Sequence, residues 1–292
     1  MVKKNILITG SNGQLGRTLK EISANYNYNY FFKEKKNLNI SNFSIINSFL
    51  KKNDINIIIN CAAFTDVDKS EINKDLANEV NNLAVDNIAK LCFELEIKLI
   101  HISTDYVFDS LGKTPLNELN HPNPKNYYGM TKLNGEKKIL SYNLNNSVII
   151  RTSWLYSKFE NNFVSKILLK LKNENQIIVV DNEISSPTSA LDLSKTIMEI
   201  IPRLSNNKTE IYHYSNQGFC SRFQFANKIN ELIKGDCIIL PKKQNINKSI
   251  RPRFSALDSS KIIKNFKLEI NSWDSSLRLF LTENHIKYSN EI

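Results

Sequence analysis

The sequence predicts an α/β fold, a doubly wound parallel sheet with a smaller C-terminal α/β lobe, and three observations carry the prediction. Strand-like apolar runs alternate with helical patterns through the first half of the chain. The run INIIINCAA at residues 55–63 is apolar on both faces, as strands of buried parallel sheets are. Three glycines, Gly10, Gly13 and Gly16, follow directly on the apolar run Ile6-Leu7-Ile8. Taken in order, residues 4–10 read as a strand, 13–23 as a helix opened by the glycine turn, 28–32 as a second strand and 43–52 as a helix. Residues 55–63 are a third strand, 75–95 one long amphipathic helix, and 98–108 a fourth strand. A helix beginning near Tyr128 precedes a fifth strand over 147–156. The second half is less regular. It reads as helix 162–173, strand 177–182, helix 185–201 with Pro187 near its start, strand 210–216 and helix 221–233. Polar loops at 110–126 and 242–253 are placed to cover a site.

Composition narrows the class. With 292 residues, 41% hydrophobic and 10% aromatic, the chain has enough apolar surface for one large domain with an appended lobe. No apolar stretch reaches the roughly 18–20 residues needed to span a bilayer. The apolar run after the basic pair Lys3-Lys4 is too short for a signal peptide, so a cytoplasmic location is expected. Cys61, Cys92, Cys220 and Cys237 are scattered among apolar neighbours and read as free buried thiols. His101, His121, His213 and His285 are equally dispersed, and no metal site is expected. The formal charge of +10 is spread through Asn-, Ile- and Lys-rich sequence without interleaved aromatics, which argues against nucleic acid as a partner.

The motifs that carry chemistry fall at strand ends. GSNGQLG, CAAFTD, STDYVF and RTSW each close one of the expected strands, and ligands of such sheets gather there. The turn ITGSNGQLG at residues 8–16 lies close to a dinucleotide-binding fingerprint, with the first glycine gap one residue longer. In NYYGMTKLNGEK, residues 126–137, Tyr128 and Lys132 share one helical face. A phenol is a poor acid at neutral pH, and an adjacent ammonium is expected to lower its pKa. Such a pair is common and usually structural by itself. Its place after a glycine turn and a strand-end Thr104 favours catalysis.

Together, TGxxGxxG, the strand-end Thr104 and YxxxK resemble the extended short-chain dehydrogenase/reductase family. CAAFTDVDKSE, STDYVFDS, RTSWLYS, SPT and RPRFSALDSSK narrow the likeness to its dTDP-4-dehydrorhamnose reductases, over residues 6 to 261. The resemblance implies a Rossmann-like domain over 1–155 binding NADPH or NADH, and a mainly substrate-binding lobe over 156–292 with segments returning to the sheet. Gly10, Asn12, Gly13, Gln14, Leu15 and Gly16 would form the pyrophosphate turn. Asn39 and Ile40 would lie near the adenine, and Ala62, Ala63 and Phe64 along the adenosine. Tyr128 would be the proton donor, with Lys132 binding the nicotinamide ribose and tuning that phenol. Thr104 and Asp105 would hold the sugar around its ketone, and Trp154 would pack against sugar or base. The implied reaction is reduction of the C4 ketone of a nucleotide-sugar, dTDP-4-dehydro-beta-L-rhamnose, to dTDP-L-rhamnose, with a homodimer compatible with the likeness.

Some positions depart from the family pattern. Asn39 stands where an aspartate is usual, Glu183 and Ser185 where Gln and Gly are common, and Arg222 where a Trp is frequent. Asn81 matches a position that is often structural and is assigned no chemistry. Lys33, Lys35 and Lys36 surround Glu34, either favouring a 2′-phosphate or merely solvating a loop. Arg251 and Arg253 could meet the substrate diphosphate or be surface residues. Two other functions stay open: reduction of another nucleotide-linked 4-keto-6-deoxysugar, and a noncatalytic regulatory subunit of methionine adenosyltransferase. Retention of Thr104, Tyr128 and Lys132 together argues against the silent subunit.

Overall fold

The computed structural model describes residues 3–159, 162–243 and 250–284. Five strands of the first half, β1 (Asn5–Thr9), β2 (Asn29–Lys33), β3 (Ile57–Asn60), β4 (Lys98–Thr104) and β5 (Val148–Thr152), form a parallel sheet with a sixth, Glu210–His213. Across the sheet the order is β2, β1, β3, β4, β5 and the sixth strand. The chain starts at β1, moves outward to β2 and crosses back to β3, so a crevice opens beyond the carboxyl ends of β1 and β3.

Strand alternation divides the core between the two faces. Ile6, Ile8, Ile57, Ile59, Ile100, Val148 and Ile150 pack under helices Gln14–Ile22 and Ala190–Ile200. Leu7, Ile58, Leu99 and Ile149 face helices Phe43–Lys52, Ala84–Glu94 and Tyr127–Tyr142. A separate core fills the C-terminal lobe, where Gln176–Val180 pairs in parallel with Ile238–Lys242 beneath helices Phe163–Asn173, Arg222–Ile233 and Trp273–Glu283.

Three expected elements are corrected. The helix expected over 185–201 starts only at Ala190. Pro187 lacks an N–H and holds Ser186 extended. The preceding residues instead form two short strands, Ile184–Ser185 on Cys220–Ser221 and Thr188–Ser189 on Leu155–Tyr156. The fourth strand stops at Thr104, whose hydroxyl accepts from the Tyr106 amide at 3.2 Å and turns Asp105–Val107 into a single 3-10 turn. The long helix is interrupted by a π-helical stretch, Glu79–Leu83. There the Asn81 side chain accepts from the Phe64 amide (2.8 Å) and donates to the Phe64 carbonyl (3.0 Å) and to Thr131 (3.1 Å). Loop 110–126 meets the 250–258 segment through bridges Ser110 to Phe254 and Leu116 to Leu257, while 244–249 of the other expected cover loop lie outside the described residues. Of the cysteines, Cys92, Cys220 and Cys237 are buried and free, and Cys61 is free but half-buried.

Near the carboxyl ends, the face under helix Tyr127–Tyr142 turns polar. Glu136 receives Arg151 Nε at 2.9 Å, Arg151 Nη2 at 2.6 Å and Ser103 Oγ at 2.5 Å, with both charged side chains fully buried. His213 donates from Nδ1 to the Leu116 carbonyl (2.9 Å), and its Nε2 lies 3.4 Å from Arg151 Nη1. Burial and that guanidinium push the His213 imidazole down to about 3. His101, on β4, is also held well below its usual value, by burial and by Lys132. Both histidines are protonated more readily in the unfolded chain, near pH 6.5 (about), so stability is present above that pH and is lost as pH falls below it. Asp105, raised to about 6 by burial, opposes this between about pH 4 and 6. The two histidines outweigh the single carboxyl. We expect urea-unfolding free energy to fall between about pH 6.5 and 4, and His213→Gln to flatten that slope by about 1.4 kcal/mol per pH unit. Equal slopes in the two proteins would rule out His213 as a source of the acid sensitivity.

Candidate active site

A cavity of about 610 Å³ lies in the crevice at the carboxyl ends of β1, β3, β4 and β5; the residues expected to hold the cofactor and the sugar and to do the chemistry all line it, whereas Arg251 and Arg253 are not in its lining. The three glycines of the first turn do different work. Gly10 takes φ +59°, and a Cβ there would lie 2.7 Å from the Ala62 backbone. A Cβ on Gly16 would come within 2.5 Å of the Gly10 carbonyl oxygen. These two let the turn, β3 and the following helix approach one another. Gly13 is different: a Cβ there meets nothing closer than 3.4 Å, and the residue lines the cavity. Helix Gln14–Ile22 begins at Gly13 with no side-chain cap and no acidic residue in its first turn. Its free amides and positive dipole end suit a pyrophosphate. Among the described residues the turn therefore fits a dinucleotide.

The reacting groups stand on the far side. Asn126 caps helix Tyr127–Tyr142 by accepting from the Gly129 amide at 2.8 Å. A Cβ on Gly129 would lie 2.1 Å from the Tyr106 carbonyl oxygen, so the helix is pressed onto the 105–107 turn. That contact sets Tyr128 edge-on to Tyr106, with ring centroids 5.7 Å apart, and beside Thr104. The phenol is not made more acidic, as the sequence led us to expect. Burial raises it, Asp105 and Tyr106 add to the rise, and only the Thr104 hydrogen bond opposes it. The reason lies in Lys132. Its Nζ donates to the Ile102 carbonyl at 2.7 Å and lies 3.3 Å from His101 Nε2. Burial lowers this lysine to about 8, against the opposing pull of Glu136 and Cys61.

Asp105 is a brace. Its carboxylate accepts from Ser255 (2.5 Å), Ser185 (3.1 Å) and Thr104 (3.2 Å), tying the Thr104 hydroxyl to two later segments of the chain. Trp154 sits at φ +40°, a conformation bulky residues rarely adopt, and the Arg222 guanidinium stacks 4.1 Å from its ring centroid. Arg222 Nε in turn donates to Glu183 at 2.8 Å. Two departures from the family pattern, noted separately in the sequence, thus form one ion pair at the cavity wall. Arg251 binds Asp68 at 3.0 Å and lies 3.5 Å from the Tyr106 hydroxyl, so it is anchored beside the site. Sequence reasoning missed Asn60, His101, Glu136 and Arg151. For Asn60, His101 and Arg151 a polar residue within an apolar strand run was the available signal, whereas Glu136 on helix Tyr127–Tyr142 had none.

A match to the RmlD substrate binding domain covers residues 4–286. The chain belongs to the RmlD family. This RmlD chain is 33% identical over 280 residues to the Bacillus subtilis spore coat polysaccharide biosynthesis protein SpsK, covering 95% of this chain and 97% of that one. It is 32% identical to the dTDP-4-dehydrorhamnose reductase of Salmonella typhimurium, over 96% of this chain and 97% of its relative. In three dimensions it resembles the Bacillus anthracis dTDP-4-dehydrorhamnose reductase solved with NADP. That likeness has a TM-score of 0.91 and 36% identity, over 97% of this chain and all of the other. No helix among the described residues is long and apolar enough to cross a membrane.

Proposed function

We propose that this RmlD-family chain reduces the C4 ketone of dTDP-4-dehydro-beta-L-rhamnose to dTDP-L-rhamnose, using NADPH or NADH, in nucleotide-sugar and cell-surface polysaccharide biosynthesis. The observation that carries the reading is the meeting, in one cavity, of an uncapped glycine turn and a Thr104–Tyr128 pair. When bound, the reduced nicotinamide supplies a hydride to the carbonyl carbon. Tyr128, kept protonated by burial, gives its hydroxyl proton to the ketone oxygen. Thr104, whose one hydroxyl proton goes to Asp105 here, would turn it to the same oxygen when the ketone is bound. Lys132, buried beneath the cavity and lowered to about 8, still holds its proton at neutral pH and in that form steadies the phenolate left behind. The Arg222–Trp154–Glu183 wall supports a second reading within the same chemistry, a differently substituted nucleotide-linked 4-keto-6-deoxysugar. Incubation of the purified protein with dTDP-4-dehydro-L-rhamnose made in situ and NADPH tests the proposal. Loss of reduced-nicotinamide absorbance is expected, and its absence with both NADPH and NADH would overturn it.

Cofactor choice follows from where the lysines after β2 point. Lys33 lies 5.1 Å over the Phe49 ring and Lys36 pairs with Glu34 at 2.9 Å, whereas Lys35 lines the cavity near Asn39. NADPH is expected to be used at least as well as NADH. Lys35→Ala should lower kcat/KM for NADPH roughly fivefold to tenfold and leave NADH unchanged, the loss of one phosphate contact of about 1 kcal/mol. Lys33→Ala should change neither. An equal loss with both cofactors would show that Lys35 does not meet a 2′-phosphate.

A further inference from the structure

A buried polar row runs from the glycine turn to Lys132. In register across neighbouring strands, Thr9 faces Asn60 and Asn60 faces His101. All three are essentially without solvent exposure. Thr9 Oγ1 donates to Asn60 Oδ1 at 2.6 Å, and the Ala62 amide reaches the same oxygen at 3.3 Å. A backbone amide can only donate, so the Asn60 oxygen must face it, and the Asn60 NH₂ points to His101 Nδ1 at 3.0 Å. His101 Nδ1 is therefore the acceptor. Burial keeps the ring neutral, so its one proton sits on Nε2, 3.3 Å from Lys132 Nζ.

An ammonium at that position would set donor against donor. A free amine accepts from Nε2–H and still donates to the Ile102 carbonyl. We propose that Asn60 fixes the tautomer of His101, and that His101 thereby acts as a positioning residue favouring the amine form of Lys132. The other groups facing Lys132 offset this only in part. Glu136 is committed to Arg151 and Ser103, the Cys61 thiol is pushed up to about 12 by burial and stays neutral, and Tyr128 on the same helix is kept protonated. The lowering of Lys132 to about 8 agrees in sign with the geometry.

The first test needs no activity. Nitrogen-15 NMR of histidine-labelled wild-type protein should show the His101 ring neutral and protonated at Nε2 between about pH 6 and 9. Its signals are those lost in His101→Gln. Should that variant not fold, elimination with His121→Gln, His213→Gln and His285→Gln assigns them. A ring protonated at Nδ1, or an imidazolium, overturns the proposal. The second test is kinetic and rests on the proposed reductase activity. Asn60→Asp places an acceptor at Nδ1, turns the ring over and presents a bare Nε2 to Lys132, which favours the ammonium. The phenolate left by proton transfer needs the Lys132 ammonium beside it, so the alkaline limb of kcat reports loss of the Lys132 proton and is expected to move up by about one pH unit or more. In a His101→Phe background the same substitution should no longer move it. No shift in the wild-type background, or an equal shift in both backgrounds, overturns the proposal, the latter because the carboxylate would then act directly. A wild-type protein without reductase activity would sink the functional reading, while the tautomer still judges this one.

Discussion

Tyr128→Phe is expected to fold normally, bind cofactor with unchanged affinity and lose about 10²–10⁴ in kcat, the usual share of a positioned acid. The substitution removes one oxygen and keeps the ring that meets Tyr106 edge-on. The direction of the phenol's shift matters here. Reduction needs a proton donor, and burial keeps the Tyr128 hydroxyl protonated at neutral pH. A phenol made strongly acidic would have surrendered its proton before the ketone arrived. Thr104, which stands beside that hydroxyl, cannot take over, because an aliphatic hydroxyl is a far weaker acid. Single-turnover rates with saturating cofactor separate the chemical step from binding. Near wild-type turnover in the variant would remove Tyr128 from the reaction.

The second large effect is expected at Gly13. Its backbone is extended, at φ −77° and ψ 173°, which valine adopts readily, and the nearest atom to a new Cβ is 3.4 Å away. Gly13→Val should therefore fold with little loss of stability. The isopropyl group would occupy the space before the first amides of helix Gln14–Ile22, where a pyrophosphate has to sit. An increase in cofactor Kd of about 100-fold, some 2.7 kcal/mol, is expected by calorimetry. Gly10→Val would be a poor substitute for this test, since its positive φ and the Ala62 backbone would make misfolding the cause. Unchanged affinity in folded Gly13→Val would make the turn structural only.

The sheet was legible because its signal is local. Runs such as Ile57-Ile58-Ile59 are apolar on both faces, and the glycine turn announces where β1 ends. The residues that line the cavity were legible for the same reason, being strand ends and one helical i, i+4 pair. What sequence could not give was direction. Lys132 and Tyr128 share a helix face, yet the lysine's amine is drawn to a β4 carbonyl and a histidine that face it only once the sheet is assembled. Asp105 looked like a sugar ligand, but its oxygens meet Ser185 and Ser255, 80 and 150 residues further on. Glu183 and Arg222 were read singly for the want of any local hint that they pair. The helix misplaced over 185–189 failed on turn chemistry: Pro187 was taken into the first turn, whereas it belongs to extended chain and the helix starts only after it.

The reach of Asp105 has a consequence for how the enzyme comes into being. During synthesis the strand that ends in Thr104 leaves the ribosome long before Ser255, and for all that time the carboxylate lacks the hydroxyl that holds it most closely. A nascent chain can assemble β1 to β5 early, but a buried acid without its partners is unfavourable, so the reaction chamber cannot close around it. A chain cut before Ser255 is thus expected to leave Asp105 without its closest partner and the groove unfinished.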